Sequence, residues 1–356
     1  MPYITVGQKR GSKVDINYEL YGQGPTKILF VMGLASALDS WKFQVEGFVQ
    51  ERDEEGNATK YDPRYQICVF DNRGVGLSGS PFGFYTTDMM ALDALEITHQ
   101  LGWKQFHLVG LSMGGMISQR MALFMLSKKE NPLHFQIPTL LSLSLIVTHC
   151  GGKYSDQPEK GKWMGRRVMM SWTEETRNRR ILPMLFSEAF LADTEKTEAA
   201  YEWIKNSRAA PGGKPTLTGL FGQLSAVTTH RTTDEELIVM RDSGVPIMIM
   251  TGDEDYLVDP QNSEEMNTVL RPVQYIVMKA TGHGINAEKS KEFNEAMFAH
   301  VERGEERRKK MEMRSSGEKA KIHYGHTCLM THDPMPNSSG IHGIVAFATF
   351  SKTYTE

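Results

Sequence analysis

The chain has 356 residues, 40% hydrophobic and 23% charged, with a formal net charge of −3; this is ordinary globular composition, long enough for one large α/β domain or a domain with a sizeable insertion. The balanced charge gives no reason to expect nucleic acid as a partner, no apolar run reaches the roughly 20 residues needed to cross a bilayer, and the opening MPYITVGQKRGSKVDINYEL reads as neither signal nor transit peptide. Three widely spaced cysteines, Cys68, Cys150 and Cys328, predict no disulfide framework and make a reducing, cytoplasmic setting the default.

YITVG and KVDINYELYG alternate polar and apolar residues and end in glycine, which predicts half-buried antiparallel strands. TKILFVMG (26–33) and YQICVFDNRG (65–74) are continuous apolar runs closed by glycine, as expected of parallel strands covered on both faces. Between them, 40–50 is expected as a helix, followed by a polar loop, ERDEEGNATKYDPR. TTDMMALDALEITHQLG predicts a helix opened by Thr87 and closed by Gly102. FHLVGLS then reads as a strand, 113–127 as a helix, and TLLSLSLIVTHC as another buried strand. This alternation implies an α/β fold with a mostly parallel central sheet flanked by helices and right-handed crossovers.

From 151 to about 245 the signals become helical and amphipathic, as in TRNRRILPMLFSEAFL and TEAAYEWIKNS, which predicts a helical insertion. Strand-like runs resume with VPIMIMTGDEDYLVDP and VQYIVMKATGHG, and a helix follows through EKSKEFNEAMFAHVE. Residues 304–321 carry seven Lys or Arg against four Glu. The expected organisation is therefore a core in two parts, 1–150 and 245–303, an insertion at 151–244, and a basic, polar and partly disordered tail at 304–356. There are no internal repeats.

LVGLSMGG carries the chemistry. Gly110-Leu111-Ser112-Met113-Gly114, with a strand before and a helix after, is the arrangement of a nucleophile elbow, so tight that a side chain at either glycine would collide with its neighbours. A serine hydroxyl is a poor nucleophile without a base, a group to orient the base, and donors for the oxyanion. Taken alone, the motif could equally be a packed turn. Two later strand ends supply the rest in chain order: Asp253 and Asp255 after one strand, and His283, between two glycines, after the next.

VMGLASALDSW, DNRGVGLS, HLVGLSMGGM, TGDEDYLV and TGHG fall in the order and spacing of α/β-hydrolase-fold serine hydrolases with a helical cap, which the chain resembles over roughly 17–301. The resemblance implies Ser112 as nucleophile, His283 as general base and Asp255 as the acid, because Gly252 sets the family's Gly-x-x-Asp count; Asp253 is the lesser candidate. It also implies an oxyanion hole from the backbone N–H groups of Leu34 and Met113, with Met32-Gly33 standing where many relatives have His-Gly. Asp71, Arg73 and Gly74 belong to a family motif and read as structural.

The implied reaction is acyl transfer to Ser112 and hydrolysis of the acyl-enzyme, with no metal or organic cofactor. The substrate would be a small acyl compound: ester, lactone, thioester and C–C cleavage and perhydrolysis all share such a triad. Serine rather than aspartate at the nucleophile position argues against epoxide opening and dehalogenation. The insertion would cover the site, and its Trp163, Met164, Met169, Met170, Trp172, Phe186, Phe190 and Trp203 point to a largely apolar pocket, although a stripe of this kind is more often core than ligand contact. The rival reading is a hydrolase-fold small-molecule receptor with little turnover. No motif names a protein partner.

Weaker signals remain. His323, His326, Cys328 and His332 in HYGHTCLMTH could reach one metal, but no framework surrounds them and no metal site is assigned. RRKK at 307–310 could touch anionic lipid or act as a nuclear address, but more often such a run is a solvated charge stretch. IHGIVAFATFSKT reads as a segment able to pack or associate, and Cys150, lacking a glycine elbow, as structural.

Overall fold

Eight strands form one sheet in a computed structural model that describes residues 2–127, 133–153, 155 and 157–327. β1 (Tyr3–Val6) and β2 (Val14–Tyr21) pair antiparallel, and β3 (Thr26–Val31) follows. β4 (Val49–Arg52) and β5 (Ala58–Tyr61) form a separate hairpin. β6 (Tyr65–Phe70), β7 (Gln105–Leu111), β8 (Thr139–Ile146), β9 (Ile247–Gly252) and β10 (Gln274–Met278) complete the main sheet, in the order β1-β2-β6-β3-β7-β8-β9-β10. β2 runs antiparallel to β6, and every pair from β6 to β10 is parallel.

The central strands are apolar on both faces because both faces are covered. Ile28 and Phe30 of β3 pack with Val109, Met248 and Met250, while Leu29 and Val31 join Leu108, Leu145 and Ile249 in the other layer. Alternate side chains point to opposite faces, so a strand buried on both sides reads as one continuous apolar run.

The helices are α1 (Lys42–Glu46), α2 (Thr87–Gln100), α3 (Met113–Leu126), α4 (Glu159–Met169), α5 (Glu174–Leu185), α6 (Glu188–Ala192), α7 (Thr194–Ala209), α8 (Leu217–Thr229), α9 (Asp234–Asp242), α10 (Pro260–Leu270), α11 (Ile285–Glu288) and α12 (Ser290–Thr327). Helices α4 to α9 lie between β8 and β9 in the chain. Leu182 and Phe186 of the α5 segment pack with Tyr201 and Ile204 of α7 in a small cluster of their own, whereas α9 buries Leu237 and Met240 in the sheet core.

Three expectations differ from the structure. The helix expected at 40–50 is a 3-10 turn, Leu38–Trp41, followed by α1, and the polar loop after it holds most of the β4–β5 hairpin. Most of the hairpin is exposed, so no apolar pattern marks it, and its turn is held by Asn57 N–H donating to Asp53 Oδ1 at 2.7 Å. The cap of α2 is Thr86, whose hydroxyl accepts from Met89 N–H; Thr87 is the first helical residue, its hydroxyl 3.0 Å from His230 Nδ1. The last helix continues through Gly304 to Thr327 where the sequence pattern ends it. A Cβ on Gly304 would lie 2.6 Å from the His107 ring, so the glycine permits a close approach there rather than a break.

The chain divides into two units, Met1–Lys309 and Lys310–Glu356, the second helical as far as Thr327. No described helix is long and apolar enough to cross a membrane. The side chains of His323 and His326, all of Cys328 and His332, and the IHGIVAFATFSKT segment lie outside the described residues.

Candidate active site

Ser112 stands between β7 and α3 with φ 57° and ψ −122°, a strained conformation for a residue with a side chain. The turn leaves no room for larger neighbours: a Cβ on Gly114 would lie 1.9 Å from the Val31 carbonyl oxygen, and one on Gly110 would lie 2.3 Å from Ser118 Oγ. Ser112 occupies the N-cap position of α3 but makes no side-chain cap, so the first turn of that helix is open toward the strand ends.

His283 follows β10, and its Nδ1 lies 2.7 Å from Asp255 Oδ2 after β9. The carboxylate accepts, so the ring proton sits on Nδ1 and Nε2 is left as the basic nitrogen. Asp255 is buried, and its other oxygen accepts from the N–H groups of Leu257 and Val258 at 2.8 and 2.9 Å. Asp253 is turned away: it pairs with the exposed Lys279 at 3.4 Å and accepts weakly from Thr281 N–H. Of the two acids in GDED, the structure brings Asp255 to the histidine.

Ser112, His283 and Leu34 line one cavity of about 770 Å³, and Met113 is the buried first residue of α3 beside it. Among the described residues, neither the Leu34 nor the Met113 N–H donates a hydrogen bond to the chain. Gly33 passes close to the serine, where an added Cβ would lie 3.0 Å from Ser112 Cβ. The loop holding Leu34 is fixed from two sides. Gln223 of α8 accepts from Ala35 N–H at 2.8 Å and donates to the Arg73 carbonyl at 2.9 Å, and Asn72 donates to the Met32 carbonyl at 2.8 Å.

A family model described as alpha/beta hydrolase fold matches residues 27–129. A thermophilic esterase from Thermogutta terrifontis superposes with a TM-score of 0.62 at 20% identity, over 85% of this chain and 99% of that one. The chain has the α/β-hydrolase fold. In sequence, the 3-oxoadipate enol-lactonase 2 of Acinetobacter baylyi is 28% identical over 111 residues, 31% of this chain and 37% of that one. A Synechocystis protein bearing a non-heme chloroperoxidase name is 33% identical over 114 residues, again spanning 37% of that relative. The chain thus matches little more than a third of the length of these two curated relatives.

Several residues of this cavity escape the sequence pattern. His149 and His230 line the same cavity as His283. Burial, and then the neighbouring His283, push His149 down to about 4; burial, then His149 and Arg120, push His230 down to about 3. Both rings are therefore neutral near pH 7. Gly151 N–H donates to His149 Nδ1 at 3.0 Å, which leaves the His149 ring proton on Nε2. Gln223 of α8 reaches the site through its contacts with Ala35 and Arg73.

The cavity wall contains no Asp, Glu, Lys or Arg among the described residues; His149, His230 and His283 are the imidazoles on it. Of the aromatic and methionine residues expected to line it, Phe186 and Trp203 do. Phe190 lines an adjoining cavity of about 310 Å³, and Met164 is buried elsewhere. Trp163, Met169, Met170 and Trp172 are exposed instead, on the outer side of α4 and the turn after it. Asp71, Arg73 and Gly74 do not line the cavity. Asp71 accepts from Leu38 and Leu77 N–H groups, and Arg73 pairs with the buried Asp93 at 2.8 Å. Burial pushes the Cys150 thiol up to about 12, which makes it inert.

Proposed function

We propose that the chain is a cofactor-independent serine hydrolase cleaving an ester, lactone or related acyl bond of a small, largely apolar and uncharged substrate. The observation that carries this reading is the 2.7 Å contact between His283 Nδ1 and Asp255 Oδ2 on the cavity that Ser112 also lines. In this account Ser112 Oγ attacks the acyl carbonyl while His283 Nε2 takes the hydroxyl proton, and Asp255 stabilises the imidazolium. The carbonyl oxygen becomes an oxyanion held by the N–H groups of Leu34 and Met113, each worth roughly 3 kcal/mol. Collapse of the tetrahedral adduct expels the alcohol, which takes the proton back from His283. Water, deprotonated by the same ring, then releases the acid and restores Ser112.

The esterase and enol-lactonase names among the relatives support acyl hydrolysis. Helices α4 to α8 act as the cap, supplying Val168, Ile181, Met184, Phe186, Trp203 and Leu224 to the cavity wall. With no Lys or Arg on that wall among the described residues, a substrate carboxylate would have to be desolvated without a partner, which costs several kcal/mol. The test is a steady-state comparison of neutral p-nitrophenyl esters with matched esters bearing a terminal carboxylate. Hydrolysis of the neutral series, at least about tenfold faster and abolished by Ser112→Ala, is expected; no hydrolysis by folded protein would favour a ligand receptor.

A further inference from the structure

The residues missing from the cavity wall raise a question of their own. Trp172 is fully exposed, Met169 is 85% exposed, and Met170 and Trp163 lie beside them on α4 and the turn into α5. A second apolar ridge stands on α8, where Leu217 is 87% exposed and Phe221 packs against the exposed Phe82 and Phe84, ring centroids 6.5 and 5.2 Å away. The ion pair of Glu174 with Lys214 ties the start of α5 to the segment leading into α8, so the two ridges adjoin. Single exposed apolar residues are commonplace, but an adjoining group of this size marks an interaction surface.

Its charge identifies the partner. Between 159 and 180 the sequence carries seven Lys or Arg against three Glu, in a chain whose net charge is −3, and of these cations Lys160, Lys162 and Arg179 are paired with Glu188, Glu159 and Glu198. Among the described residues neither Arg166 nor Arg167 forms an ion pair, and the Arg167 guanidinium carbon lies over the Trp163 ring, 4.6 Å from its centroid. Exposed Trp and Met set among cations is the chemistry of an anionic lipid interface: the apolar groups enter the acyl boundary and the cations meet headgroup phosphates. The same helices face inward as well. Val168 of α4, Ile181 and Met184 of α5, and Leu224 of α8 line the Ser112 cavity.

We propose that the α4–α5 turn, with the adjoining ridge of α8, docks the protein on an anionic lipid surface and that substrate dissolved in that surface passes between these helices to Ser112. The docking stands on the surface alone; the passage of substrate rests on the hydrolase reading.

The experiment is co-sedimentation of the full chain with vesicles of phosphatidylcholine alone and of phosphatidylcholine with phosphatidylserine, over a salt series. Binding to the anionic vesicles that weakens with salt is expected, as screening requires. A Met169→Ser, Met170→Ser, Trp172→Ala variant and an Arg166→Glu, Arg167→Glu variant should each lose binding by about tenfold or more. Both should keep wild-type hydrolysis of a soluble ester, since none of the five residues lines the cavity. Wild type that stays in solution with both vesicles overturns the proposal. So does an apolar variant that binds as wild type does, or a dimer that the apolar variant disperses, which would assign the surface to a second copy. Lipid binding without hydrolysis of any ester would remove the hydrolase reading and leave the docking.

Discussion

Glu288 holds Gly282: its Oε2 accepts the Gly282 N–H at 2.9 Å, one residue before His283. The same carboxylate accepts from the N–H and hydroxyl of Ser187, the N-cap of α6, so one side chain joins the histidine loop to the inserted helices. Gly284 N–H donates to the Leu185 carbonyl at 2.7 Å and closes the same seam. Glu288→Gln removes the charge that serves three donors. The expected loss is roughly 1–3 kcal/mol of unfolding free energy, with kcat falling more than KM rises. A lowered Tm with unchanged kcat would leave Glu288 a scaffold residue with no part in positioning His283.

Asp255 and Asp253 separate cleanly by substitution. Asp255→Asn replaces the acceptor at His283 Nδ1 and favours the wrong tautomer, so kcat should fall by about 10³–10⁴. Asp253→Asn alters a pair with the exposed Lys279 and a long contact from Thr281 N–H, and kcat should stay within about twofold. Equal losses in both variants would contradict the assignment.

Ser112 carries backbone strain that its side chain causes. Ser112→Gly should abolish hydrolysis and raise stability by roughly 1 kcal/mol, measured by urea unfolding against Ser112→Ala. A glycine variant no more stable than the alanine variant would mean the φ of 57° stores nothing.

Much of this site was legible before the structure. Gly110 and Gly114 mark the elbow because only glycine fits there, and strand ends bearing Asp255 and His283 are local patterns. His149, His230 and Gln223 were not legible: each reaches the site through the tertiary path of β8 or α8, and no local period records that. Gly304 misled for a similar reason, since its function is contact with His107, which lies far away in sequence. Trp172 and Met169, exposed in the structure, carry an apolarity that suggests pocket or core, because composition does not record which face of a helix turns outward.

Buried neutral histidines set the acid limit of the fold. His149 and His300 are pushed down to about 4 and His230 to about 3, burial being the first cause in each. The unfolded chain, with histidine near 6.5, binds more protons than the folded one below that pH. Stability is therefore full above about pH 6.5 and falls as the pH drops toward the folded values. By pH 5.5 each ring should have cost about 1.4 kcal/mol, about 4 kcal/mol together, and His107, lowered by burial, adds in the same direction. Urea unfolding at pH 7.5 and 5.5 reads this directly; equal midpoints would contradict it.

The central claim is that Ser112 is an activated nucleophile. Labelling of the full chain with a fluorophosphonate probe, located by mass spectrometry, tests it in wild type, Ser112→Ala and His283→Ala. The account predicts a single modification on Ser112 that disappears in both variants. Folded wild type that takes no label, or label that persists on Ser112 in His283→Ala at the wild-type rate, would contradict it.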